Sequence, residues 1–284
     1  MRQGPVKQQR IAEAREAART ARELRERKAR RRKVLIPLVA TLGVLVVVAG
    51  ILVVLALQPK SAPAAATANG PKNMISGGIA FTGKNGQLAP VETAALKKAE
   101  EPRPTSWPSN DTRAHIQTYI DWTCPACRAF EAQYAGTLQS MVSSGQATLE
   151  VFPVAILDRN YTTNYSTRAA NAAACVANDA PEKFLSVQNV MYEHQAEEGS
   201  AGLSTDNILK LVHSAGLSSS DVDSCIRGTS FAAWVAAQTG RVASDDALML
   251  TTNGLRGFST PTIVVNGTAW DRTSDLDAFL KGNG

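Results

Sequence analysis

Cysteine and histidine are scarce in this 284-residue chain: four Cys and three His. A structural zinc site usually draws four N/S ligands from a paired pattern, a second CxxC or an HxxxH. Here Cys175 and Cys225 are isolated, and His115, His194 and His213 are scattered, so the sequence gives no metal site. It also carries no nucleotide or flavin motif, and no cofactor is expected. Charge is absent over Val34–Leu57, an uninterrupted 24-residue apolar run. That length crosses a ~30 Å hydrocarbon core at ~1.5 Å per residue.

The charge that is present lies mostly ahead of that run. Residues 1–33 hold 13 Lys/Arg against 4 Glu, a net of +9, so the rest of the chain carries −4 within the total of +5. The Arg-rich stretch 22–33 invites a nucleic-acid reading. The membrane-length segment that follows argues against one, and the basic flank instead predicts a cytoplasmic N-terminus beside anionic headgroups. Everything beyond residue 58 then lies outside a plasma membrane crossed once. Small residues at 61–66 offer a cleavage site, but the segment is longer than a typical signal-peptide core, and an uncleaved anchor is expected. Glu23/Arg27 and Glu26/Arg30 sit at i,i+4, giving residues 9–33 the pattern of a solvated helix. Residues 58–78, rich in Ala, Pro and Gly, read as a flexible linker, and Pro90–Lys98 as a marginal helix.

What the chain does have is Cys124-Pro125-Ala126-Cys127. Ala114–Asp121 alternates apolar and polar residues as a half-buried strand does. Cys127–Val142 then spaces Phe130, Tyr134, Leu138 and Met141 helically. Proline at a helix's first turn costs no hydrogen bond. Cys124 therefore falls at the helix N-terminus, where unpaired N–H groups and the macrodipole favour a thiolate. It is expected to be the attacking, partly exposed sulfur, and Cys127, one turn further in, the buried resolving thiol. A purely structural bridge across so short a loop would stabilise little.

Beyond the helix, Ala147–Val154 reads as a strand with Leu149 and Val151 on one face and Phe152 and Val154 on the other. Residues 164–245 lack a strong strand candidate and read as helices, with Thr205 as an N-cap and Gly216 as a stop. Pro261–Val265 reads as a strand, Asn266-Gly267 as a hairpin turn, Thr268–Trp270 as its partner, and Asp275–Leu280 as a short last helix.

Together Tyr119–Phe130 (YIDWTCPACRAF), the helical insertion and Gly257–Gly267 (GFSTPTIVVNG) resemble the DsbA-like branch of the thioredoxin superfamily. The resemblance covers about residues 110–284 and implies an α/β thioredoxin-like fold with an inserted helical domain, preceded here by a single transmembrane helix. It implies an extracytoplasmic thiol–disulfide oxidoreductase acting on reduced exported proteins. Cys124 and Cys127 would be its catalytic pair, and a quinone-linked membrane oxidase would recycle it. Thr260-Pro261 matches the family's cis-proline loop, which binds substrate polypeptide. A disulfide reductase or isomerase on the same fold is an alternative, as is a non-catalytic peptide-binding or chaperone module. Cytoplasmic assembly through residues 1–33 is another.

One position departs from the pattern. The family commonly places a buried carboxylate six residues before the first cysteine, and Thr118 stands there. Asp121 reads as a solvated or capping residue, leaving water or Glu131 to carry the proton. Cys175 and Cys225 fall within the insertion, and the oxidising compartment predicts a structural disulfide between them. Trp122 is expected in the core or at the rim of the groove.

Overall fold

The computed structural model describes residues 69–252 and 254–283. The basic segment 1–33 and the predicted membrane helix 34–57 lie outside the described residues. Among those described, no helix is long and apolar enough to cross a membrane.

The alternation read over 114–121 becomes β3 (Ala114–Ile120), which buries Ala114, Ile116 and Thr118 and leaves His115 and Gln117 half-covered. It lies between two partners. β4 (Ala147–Pro153) runs parallel to it with Ile116 opposite Leu149, and β7 (Thr262–Val265) antiparallel with Thr118 opposite Ile263. β4 is buried along its whole length, as a strand covered on both faces must be. Its two faces divide as the sequence predicts. Leu149 and Val151 join Ile116 and Ile120 in the larger core, while Phe152 and Val154 join Tyr119, Phe258 and Val264 in the smaller one.

β1 (Ile79–Lys84) and β2 (Gln87–Pro90) extend the same sheet, giving the order β2-β1-β4-β3-β7-β8 with β8 at Thr268–Ala269. Asn85 and Gly86, with φ of 53° and 74°, make the tight turn between β1 and β2. Two successive left-handed residues suit the twist of a two-residue hairpin.

This corrects the helix expected at Pro90–Lys98. Beyond Pro90, which ends β2, the chain there is irregular and its backbone is paired with a neighbouring segment. Asn73 N–H donates to the Thr93 carbonyl at 2.9 Å, and Gly70 N–H to that of Leu96 at 2.8 Å. The linker reading of 58–78 fails for its described part on the same evidence. Met74 is fully buried, and the Asn73 amide donates to the Ala177 carbonyl at 2.8 Å. Linker-like composition does not reveal one apolar side chain that finds a pocket.

Helix α1 (Pro125–Ser143) packs on β4, β1 and β2. The helical insertion comprises α2 (Tyr165–Asp179), α3 (Phe184–Glu193), α4 (Thr205–Ser214), α5 (Ser220–Arg227) and α6 (Ala232–Val242). Its centre is α2, whose run Ala169–Ala177 is buried throughout, small side chains allowing α5 and α6 to approach closely. The cap of α4 is Ser204 rather than Thr205: its hydroxyl accepts from Asn207 N–H at 3.2 Å. A short hairpin, β5 (Leu250–Thr252) and β6 (Leu255–Gly257), precedes β7, and α7 (Leu276–Asn283) ends the described chain.

Candidate functional site

β3 stops at Ile120, and a tight loop carries the chain into α1. Cys124 is the N-cap, with φ −83° and ψ 120°, Pro125 opens the helix, and Cys127 sits inside it. The two cysteines are unbridged, and Cys127 has no exposure. Cys124 is only 6 % exposed, less than the sequence suggests, because the loop before β7 closes over it. Thr260 supplies that cover: its carbonyl oxygen lies 3.6 Å from Cys124 Sγ, and the Thr260-Pro261 peptide is cis. The pairing of Tyr119 with Thr262 is what brings this loop, more than 130 residues away in sequence, to the helix end.

The two sulfurs are electrostatically unlike. Cys124 is lowered to about 7, chiefly by the hydrogen bond from the Cys127 thiol, with contributions from Thr260 and the Cys127 N–H and opposition from burial. Cys127 is held well above the ordinary thiol range by burial and by donating to Cys124. Near neutrality such a pair is half thiolate, half thiol on Cys124, with Cys127 protonated. Of the two, the outer sulfur is the better suited to nucleophilic attack, and the inner one favours its protonated form.

Asp121 overturns its reading as a solvated residue. It is completely buried, and its carboxylate accepts from Thr123 N–H at 2.9 Å, Thr123 Oγ1 at 2.7 Å, Ile156 N–H at 3.0 Å and Ser166 Oγ at 2.5 Å. Burial pushes its pKa up, against those four bonds. Strand alternation ends at Ile120, so it does not predict where the next side chain points. The Asp-x-Thr spacing of an Asx turn was the available signal.

Thr118 is buried with its hydroxyl unpaired. Glu131, one helical turn beyond Cys127, lines a small cavity with Thr118, Leu138, Leu149 and Gln188. Burial raises Glu131 to about 7, Gln188 opposing. A carboxyl that changes charge near neutrality, stacked at i,i+4 above a buried thiol, can give or take a proton there.

Sequence reasoning missed the residues that fix the loop from the insertion side. Gln195 Nε2 donates to the carbonyls of Trp122 and Cys124, both at 3.0 Å. Tyr161 Oη donates to the Thr123 carbonyl at 2.8 Å. None of these forms a motif with the cysteines. Trp122 is a core residue, 1 % exposed, and donates to Gln188 Oε1 at 3.3 Å. Cys175 and Cys225 are joined in a disulfide linking α2 to α5. Among the described residues, no three His, Cys, Asp or Glu are grouped as metal ligands.

A thioredoxin family model matches residues 109–281, which is more than half of the chain. The chain belongs to the thioredoxin family. Among solved structures, this thioredoxin-family protein is similar to reduced DsbA from Mycobacterium tuberculosis, with 24% identity over 72% of this chain and 91% of that one, at a TM-score of 0.55. It is similar to the reduced disulfide bond oxidoreductase DsbG of the same organism, with 27% identity, 63% and 82% coverage and a TM-score of 0.52. Oxidised BdbD from Bacillus subtilis shares the fold at 15% identity, 76% and 97% coverage and a TM-score of 0.51. No curated protein sequence matches the chain.

Proposed function

We propose that this protein is a membrane-anchored protein disulfide oxidoreductase that introduces disulfides into exported proteins through Cys124 and Cys127. The observation that carries the reading is the asymmetric pair at the α1 N-terminus. Its outer sulfur is lowered to about 7 and its inner one is buried and protonated, under the Thr260-Pro261 loop. The solved neighbours are thiol–disulfide oxidoreductases, which supports the same class.

In the reaction a substrate thiolate attacks Cys124 Sγ of the oxidised pair, forming a mixed disulfide and expelling Cys127 as thiolate. Cys127 is disfavoured as an anion in its site and takes a proton, for which Glu131, one helical turn along α1 and raised to about 7, is a candidate donor. A second substrate thiolate then attacks the substrate sulfur, leaving the product disulfide and Cys124 as a stabilised thiolate. Two electrons pass from substrate to the dithiol, and a quinone-linked membrane oxidase would remove them. Substrate would lie along Thr260 and Pro261 as an added extended strand.

The uncharged run 34–57 supports a single-pass plasma-membrane anchor with residues 1–33 cytoplasmic and the thioredoxin domain outside. The Cys175–Cys225 bridge supports the same oxidising side. A Cys124 pKa of about 7 does not by itself set the direction of electron flow, since thioredoxin's cysteine is at ~7 too. The compartment favours oxidation. Equilibrating the full chain in detergent with glutathione buffers should give a reduction potential well above ~−270 mV, the thioredoxin value. A potential at or below it would assign the protein as a reductase.

A further inference from the structure

Arg272 lies in the loop before α7 and is not needed by the exchange chemistry above. Its backbone has a φ of 65°, the left-handed region that long side chains seldom occupy. Its guanidinium reaches back to the loop over the dithiol. Nη2 donates to the Ser259 hydroxyl at 3.1 Å and also to the Pro261 carbonyl. Those residues flank Thr260, whose carbonyl meets Cys124 Sγ. A cation is thereby fastened to both sides of the residue that faces the nucleophile. Partial burial lowers its pKa, and the charges of Cys127 and Cys124 act in the opposite direction, which places it in electrostatic range of the two sulfurs.

The guanidinium is not neutralised. Among the described residues no carboxylate lies within salt-bridge distance of Arg272. The adjacent Asp271 turns away, accepting from Thr273 N–H at 2.9 Å and Thr273 Oγ1 at 2.8 Å. Arginine has five N–H donors, and both bonds to the loop use Nη2. Nε and Nη1 make no hydrogen bond among the described residues, on a residue exposed overall beside the Thr260-Pro261 loop. Each pair of parallel guanidinium donors includes Nη2, so the free Nε and Nη1 offer single N–H bonds and the full charge. An uncompensated positive charge with free N–H donors attracts a carboxylate.

We propose that Arg272 determines substrate specificity, drawing in polypeptide segments that carry a carboxylate beside the reacting cysteine. The inference rests on Cys124 being the sulfur that substrate attacks. Its partner class is acidic cysteine-bearing segments, with basic ones disfavoured by the same charge.

The test uses the oxidised full chain in detergent and two peptides, one with its single cysteine between two Glu, the other between two Lys. In each reaction the peptide thiolate bonds to Cys124 Sγ and Cys127 leaves. Each rate is divided by the same peptide's rate with hydroxyethyl disulfide, which removes the peptides' intrinsic difference in thiol reactivity. The acidic peptide should be favoured about fivefold at low salt, the scale of an exposed ion pair. The preference should shrink at 0.5 M salt through screening. Arg272→Gln should erase it, Arg272→Glu reverse it and Arg272→Lys keep part of it. The salt series needs no variant to fold. Equal normalised rates with the unaltered chain, or a preference that Arg272→Gln leaves intact, would overturn the inference while the exchange reading stands. Failure of both peptides to react would remove the exchange reading and this inference with it.

Discussion

Serine in place of Cys124 should abolish disulfide exchange, whereas serine in place of Cys127 should stop it half-way. The two sulfurs are three residues apart but chemically unequal. Cys124 is the one lowered to about 7, and Cys127 is wholly enclosed and held protonated. A serine hydroxyl cannot replace a thiolate nucleophile, so the rate with Cys124→Ser should fall by on the order of a thousandfold or more, as when a nucleophile is removed outright. In Cys127→Ser the Cys124 thiolate can still attack a substrate disulfide, bonding to one of its sulfurs while the other leaves as thiolate, but the Cys127 thiol that would attack Cys124 Sγ and resolve this adduct is gone. Mixed disulfides should accumulate, visible as adducts on non-reducing gels that dithiothreitol disperses. Adducts in the Cys124→Ser chain, or none in Cys127→Ser, would reverse or remove the assigned roles.

Opening the second pair should cost stability rather than chemistry. Cys175 is fully buried in α2, and its bridge to Cys225 in α5 spans a sequence separation of 50. On the chain-entropy account a loop of that size restricts the unfolded chain by about 4 kcal/mol. The Cys175→Ala/Cys225→Ala protein should unfold at a lower urea concentration by a corresponding amount, read as a shift of midpoint with the slope recorded alongside. α2 forms the middle of the insertion, and Ser166 at its start holds Asp121 beneath the active loop. Loosening this helix is therefore expected to show in the whole domain. An unchanged midpoint would mean that the bridge does not hold the insertion together.

Local patterns carried much of the site. The strand–CPAC–helix junction was legible because alternation, a helix-start proline and helical spacing are all properties of contiguous residues. The faces of β4 were legible for the same reason. The Asp121 network was not, because four donors from three separate stretches decide whether that carboxylate is solvated or buried. Gln195 and Tyr161 reach the active loop from the insertion and share no spacing with it. The packing of residues 69–78 and the non-helical course of 91–98 have one cause, mutual backbone pairing that propensity cannot register. The Thr260-Pro261 loop was found through family resemblance, and its position over Cys124 depends on the β3–β7 register.

Cys124 is expected to be a thiolate held ready beside a buried thiol. Titration of the reduced full chain, followed by thiolate ultraviolet absorbance, tests it directly. The folded pKa is depressed, so the anion should be lost only as pH falls through about 7. That transition should vanish in Cys124→Ser and persist, at a higher pH, in Cys127→Ala, which lacks the donating thiol. A first midpoint at or above the ~8.5 of a free cysteine would contradict a lowered Cys124.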